Sequence, residues 1–226
     1  MKYFALTPDN HKQLNRSTQL KLRCLNLVGL QLIELVQLVV SQPDLGTSIL
    51  IGLSGLVVLW LSGVNAKYFI YSSLILLISL PFVISFLKPY QKLRILTFFN
   101  PDRDPLGAGY QIIQSKIAVG SGGLSGKGFL KGTQSYLDFL PEKHTDFIFS
   151  MLGEEFGFLG TLSVIGLIIV ITTITYNIAN KFNRDFFNRV LAYGLISNFF
   201  FAAMINMSMV IGLLPVVGLP LPLVSY

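Results

Sequence analysis

The chain has 226 residues, a net charge of +6 and 12% charged residues, about half the charged content of an average soluble domain. Its mean hydropathy is +0.64. Its single cysteine, Cys24, excludes an internal disulfide, and the basic excess is that of juxtamembrane Lys and Arg, since no RNA- or DNA-binding motif is present and no nucleic-acid partner is expected.

Residues 1–20 are polar, carry Lys2, Lys12 and Arg16, and lack the apolar centre of a signal peptide. Residues 22–41 hold Arg23, Gln31, Glu34 and Gln37, and one charge at a helix centre costs about 2.5–3.5 kcal/mol on insertion. They are nevertheless predicted to span, because the crossings that follow alternate consistently only if they do. "QPDLG" (Gln42–Gly46) is a tight interfacial turn. The runs 45–64, 67–87, 159–180 and 190–214 are apolar on all sides, as suits helices in lipid or inside a bundle. Lys2, Lys12, Arg16, Lys21, Arg23, Lys67, Lys181, Arg184 and Arg189 then share one side, the cytoplasm by the positive-inside rule. The segment 88–158 is expected outside, although it holds the other eight basic residues. The predicted class is an all-α polytopic transmembrane helix bundle with a large extracytoplasmic loop carrying short helices.

A connector of about 70 residues is too long to be passive. Its first motif, "NPDRDPLGAGYQ" (Asn100–Gln111), is rich in turn residues. Arg103 between Asp102 and Asp104 is satisfied by those neighbours or held to grip an anionic headgroup. The second, "GSGGLSGKG" (Gly120–Gly128), fails as a phosphate loop: position 121 is serine and Gly128 follows Lys127. It remains a turn cluster, or a set of backbone N–H groups that with Lys127 and Lys131 faces a pyrophosphate or other anion.

The third is "LPEKHTDFIFSMLGEEFG" (Leu140–Gly157), which sets Glu142, Asp146, Glu154 and Glu155 among apolar residues. Thr145 to Glu155 reads as helical, with Glu142 and Asp146 on one face. Two such carboxylates repel, and one is a fit general base; the alternative is an interfacial helix whose acids pair with Lys143 and His144. One histidine with loose carboxylates is weak for zinc. At the other end, "INMSMVIGLLPVVGLPLPLVSY" breaks a span with Pro215, Pro220 and Pro222, a pattern that lines cavities, and Asn206 and Ser208 are placed to hydrogen-bond across helices.

Together these motifs, with "QPDLGT" and "KPYQKLRI", resemble the SEDS family (shape, elongation, division and sporulation), most closely its rod-shape branch, the RodA type, collinearly from about Gln42 to Tyr226. The resemblance implies a peptidoglycan glycosyltransferase of the bacterial cytoplasmic (inner) membrane. Such a protein polymerises lipid II, the undecaprenyl-pyrophosphate disaccharide pentapeptide, for cell elongation. It works beside a class B penicillin-binding protein and other elongation-complex proteins. The family's essential aspartate falls on Asp146. Arg103, Lys116 and Lys127 are candidates for the leaving pyrophosphate, with Gln111, Glu142 and Glu155 supporting the substrate site. No cofactor is certain; a divalent cation is possible. The family has further helices before and after the matched region, so the chain is expected to be a fragment, inactive alone. Two other functions are carried: a lipid II flippase, and a non-catalytic membrane fragment.

Overall fold

The computed structural model describes residues 45–86, 88–105, 107–136, 145–181 and 186–225. The predicted span 22–41 and the candidate Glu142 lie outside the described residues, as do Lys143 and His144. Every regular element among the described residues is helical: α1 (Leu45–Leu61), α2 (Ala66–Phe86), α3 (Pro89–Phe99), a 3-10 turn (Pro101–Arg103), α4 (Ala108–Ser121), α5 (Thr133–Tyr136), α6 (Ile148–Lys181) and α7 (Phe186–Val210). Ile148–Lys181 and Phe187–Val210 are long and apolar enough to cross a membrane, and Gly46–Leu61 and Ala66–Ser79 are shorter apolar helices. The fold is a transmembrane helix bundle whose long loop carries short helices.

Helix boundaries follow local chemistry. Pro89 opens α3, where its missing N–H costs nothing, and the Gln91 side chain accepts the Lys88 N–H at 3.0 Å. At α4 the Asp104 carboxylate accepts the Ala108 N–H at 2.9 Å, satisfying one orphan donor of the first turn. At the end of α7, Gly212 takes φ 75. Its N–H donates to Met209 O at 3.0 Å and Leu213 N–H to Ser208 O at 2.8 Å, the glycine-closed ending that a β-carbon would strain. Pro215 follows and prevents resumption.

In the apolar spans the hydroxyls bond their own helix. Ser54 donates to Leu50 O, Thr172 to Ile168 O and Thr175 to Ile171 O, at 2.9, 2.7 and 2.7 Å. Such back-bonding satisfies these hydroxyls within their own helices. Helices α1 and α7 pack closely where Gly194 meets Val58: a β-carbon at Gly194 would come within 2.9 Å of Val58 Cγ2, the small-residue contact by which membrane helices approach. By contrast α2 exposes Tyr68, Ile70, Leu74, Ile75, Leu77 and Ile78, a surface suited to lipid or further helices.

A buried core joins the loop to the spans, with Ile168 of α6 among its members. Ile112 and Ala118 of α4, Phe147 and Phe149 at the start of α6, Ala203, Met207, Met209 and Val210 of α7, and Val216 and Leu221 beyond it form one buried cluster. Each fully buried Val, Leu, Ile, Phe or Met side chain of this kind contributes about 1.5–3 kcal/mol. The cluster fastens the loop helix α4 to the spans and places the Asp146 turn on its surface.

Candidate functional site

Asp146 sits in the turn Thr145–Phe147 and is half-buried, while Phe147 beside it is 1% exposed. The helix expected from Thr145 begins instead at Ile148, and the reason is visible in the carbonyls. Thr145 O accepts the Ser225 hydroxyl at 2.6 Å, and Asp146 O accepts Asn206 Nδ2 at 2.7 Å. In a continuing helix those carbonyls would take the N–H groups of residues 149 and 150; Ser150 N–H goes to Phe147 O at 3.0 Å instead. Asn206, fully buried, donates to Leu219 O as well, at 2.6 Å. Gly218 lies alongside, where a β-carbon would be in ordinary contact with Asp146 Oδ2 at 3.4 Å. The carboxylate therefore stands at the junction of α6, α7 and the proline-rich segment that follows.

The glycine-rich loop has a structural use that its composition did not reveal. Helix α6 is broken at Gly157, which takes φ 65 and ψ −160, a region essentially reserved for glycine. A break leaves carbonyls orphaned before it and N–H groups after it. The loop supplies both partners: Lys127 N–H and Gly128 N–H donate to Glu154 O and Glu155 O, each at 3.0 Å. Phe158 N–H and Leu159 N–H donate to Gly123 O and Leu124 O at 2.9 and 3.1 Å. Backbones approach this closely because side chains are missing. A β-carbon at Gly122 would meet Gly153 O at 1.9 Å, and one at Gly126 would meet Glu155 O at 2.1 Å.

Glu154 is the hub of this contact. Its side chain is fully buried and Oε1 lies 2.7 Å from Lys127 Nζ. It also accepts Thr133 Oγ1 at 3.0 Å and the Gln134 N–H at 3.1 Å. Glu154 precedes the Gly157 break and so lies outside the apolar run 159–180. Burial pushes its carboxyl up, but the Lys127, Gln134 and Thr133 hydrogen bonds outweigh burial and hold it below the usual 4.5. The linkage follows from that sign. A depressed folded pKa contributes stability that is complete above 4.5 and is lost as pH falls through the lower folded value. Thermal melting of the detergent-solubilised protein is expected to be flat from neutral pH down to that range and to fall below it. Lys127→Met should flatten this acid limb. It should also cost toward the lower end of about 3–5 kcal/mol, because it strands a buried carboxylate while the lysine itself is 29% exposed.

The remaining candidates are distributed around this frame. Arg103 is exposed on the 3-10 turn. Asp104 caps α4, and no ion pair joins Arg103 to Asp102 or Asp104 among the described residues. Gln111 is half-buried in the first turn of α4, and Lys116 is exposed five residues on. The Lys116 side chain lies across Gly212, where a β-carbon would meet its Cε at 1.9 Å. Lys127 is joined to Glu154, and Glu155 is 3% exposed. Among the described residues no group of three or more His, Cys, Asp or Glu side chains is arranged to hold a metal ion. Two features were missed from sequence: the Lys127–Glu154 pair and the hold of Ser225 on the Asp146 turn; Asn206, placed by the sequence to hydrogen-bond across helices, does so to Asp146 O and Leu219 O. The signals present for the two were a lone basic residue in a glycine run and a polar residue in an apolar one.

Comparisons with known proteins fit this geometry. A family model described as a cell cycle protein, covering FtsW, RodA and SpoVE, matches residues 3–226. The peptidoglycan glycosyltransferase MrdB of Escherichia coli (strain K12) is 52% identical over 190 residues, 84% of this chain and 51% of that protein. The peptidoglycan glycosyltransferase RodA of Treponema pallidum (strain Nichols) is 46% identical over 140 residues, 62% of this chain and 32% of that protein. The chain spans about half the length of the first of these relatives. Among solved structures, a chain from a peptidoglycan synthase complex that coordinates polymerization and crosslinking superposes with a TM-score of 0.70 at 33% identity, covering 88% of this chain and 55% of that one. The Thermus thermophilus rod shape determining protein RodA shares the fold, with a TM-score of 0.55 at 24% identity over 89% of this chain and 49% of that one. With its match extending across nearly the whole sequence, the chain belongs to the FtsW/RodA/SpoVE family of cell cycle proteins, the SEDS family.

Proposed function

We propose that the chain carries the catalytic loop of a RodA-type peptidoglycan glycosyltransferase that polymerises lipid II. The observation that carries this reading is Asp146. It is the acid on which the family's essential aspartate falls, and it stands half-buried in a turn held from two sides. Such a carboxylate is suited to general-base work.

In the proposed reaction the 4-hydroxyl oxygen of one lipid II molecule attacks the anomeric carbon of another. Asp146 accepts the hydroxyl proton as the new glycosidic bond forms. The bond from the anomeric carbon to the pyrophosphate oxygen breaks, its electron pair leaves on undecaprenyl pyrophosphate, and configuration inverts. The leaving charge is stabilised by cations aimed at it. Arg103 and Lys116 are exposed and supply that charge; Lys127, already bonded to Glu154, holds the loop as well. Gln111, Glu142 and Glu155 support the substrate site. One acid suffices because a pyrophosphate leaving group neutralised by cations needs no proton, unlike the leaving alcohol of a glycosidase.

In this reading the protein lies in the bacterial inner membrane with residues 88–158 outside, the side on which glycan strands grow. It works beside a class B penicillin-binding protein and other elongation-complex proteins. The superposition on a peptidoglycan synthase complex supports such a partnership. A lipid II flippase is the competing function. Both are tested with labelled lipid II in proteoliposomes holding this chain together with the part of the E. coli relative outside the aligned region. Polymer on the loop side is the expected result. Translocation without polymer, unchanged by Asp146→Asn, would establish the transporter instead.

A further inference from the structure

We propose that Asn206 and Ser225 are positioning residues that set the direction of the Asp146 carboxylate, an inference that rests on the catalytic reading of Asp146. Both grip the backbone on which the carboxylate stands. Asn206 lies in the buried core of α7, fully shielded from solvent. Its single Nδ2 group donates to Asp146 O at 2.7 Å and Leu219 O at 2.6 Å. One amide thus joins three segments: α7, the turn before α6, and the proline-rich segment after α7. The bonds cross 60 and 13 residues of chain, so no local turn preference can replace them.

Ser225 fixes the neighbouring peptide. Its Oγ donates to Thr145 O at 2.6 Å and accepts the Leu221 N–H at 3.0 Å. With two successive carbonyls held from outside, the turn is tied to α7 and the proline-rich segment, ahead of the start of α6 at Ile148. Gly218 completes the arrangement: its φ of 76, which favours glycine, turns the segment into van der Waals range of the carboxylate. The two held peptides fix the backbone from which the aspartate side chain projects. A catalytic group misplaced by about 1 Å loses rate on the order of a hundredfold, so this hold governs turnover rather than affinity.

The test uses the whole chain in a Cys24→Ser background carrying Asp146→Cys as its only thiol, again with the remaining part of the E. coli relative, made free of cysteine. The rate of maleimide labelling reports how firmly the turn is held. Asn206→Ala and the milder Ser225→Ala are each expected to raise it about tenfold, the scale of one net hydrogen bond. Labelling of a control thiol at the exposed Asp102, on the 3-10 turn, should stay constant. In the Asp146 protein the same two changes should lower kcat for polymerisation with KM for lipid II unchanged. Unaltered labelling in both variants would overturn the proposal even if Asp146→Asn is inactive. Faster labelling together with an active Asp146→Asn would instead leave the hold standing and remove its catalytic purpose.

Discussion

Replacing Asp146 by Asn is expected to lower lipid II polymerisation about a hundred- to ten-thousandfold, the range of a lost general base, while leaving the melting temperature unchanged. The substitution is isosteric, and the hydrogen bond from Asn206 is made to the backbone carbonyl, which every residue supplies. The proton-accepting carboxylate disappears while the backbone hold on the turn stays. The loss should therefore fall on kcat, with KM for lipid II preserved, because an interaction used only in the transition state leaves ground-state binding intact. Asp146→Glu keeps the base but moves it by one methylene, so its rate should lie between the two. A loss confined to KM would mean that Asp146 binds substrate without taking its proton.

Gly157→Ala should produce the largest structural defect. A β-carbon at this position meets Gly126 N at 2.3 Å and Leu124 O at 2.8 Å. Those are backbone atoms, which cannot rotate away as a flexible side chain would. The backbone angles add about 1–3 kcal/mol of strain for any other residue. If the loop backs off, the bonds from Lys127, Gly128, Phe158 and Leu159 N–H weaken together, at about 1 kcal/mol each. The expected total exceeds about 4 kcal/mol, and hydrogen exchange of those four amides should accelerate. Gly166→Ala is the matched control: it lies on the same helix with nothing within 4 Å of a β-carbon. That change should be neutral or stabilising by about 0.5–1 kcal/mol.

The apolar spans were legible because a helix in lipid needs only an apolar surface, and sequence records that directly. Pro89 at the start of α3 and Gly212 at the end of α7 are local signals as well, readable from single residues. The site was less legible for a physical reason. Its contacts join residues far apart in sequence, such as Lys127 with Glu154 across 27 residues and Ser225 with Thr145 across 80, and no periodicity couples such positions. The glycine run illustrates the ambiguity. Glycines that permit close backbone approach to a phosphate also permit close approach to another helix, and here Gly122 and Gly126 lie against α6. Thr145–Glu155 carries a helical pattern, yet side chains from α7 and the proline-rich segment capture the first carbonyls and delay the helix to Ile148. Asp146 itself stood out through the family motif, since one carboxylate among four carries no mark of its role.

The most direct measurement is rescue of rod shape in a strain depleted of its own rod-shape polymerase. This chain would be co-expressed with the part of the E. coli relative outside the aligned region, in wild-type and Asp146→Asn forms, with membrane insertion of every piece shown by immunoblot. Rescue by the wild-type pair and none by Asp146→Asn is the predicted result. Equal rescue by both forms, or failure of the inserted wild-type pair, would contradict the assignment of a glycan-polymerising site to Asp146.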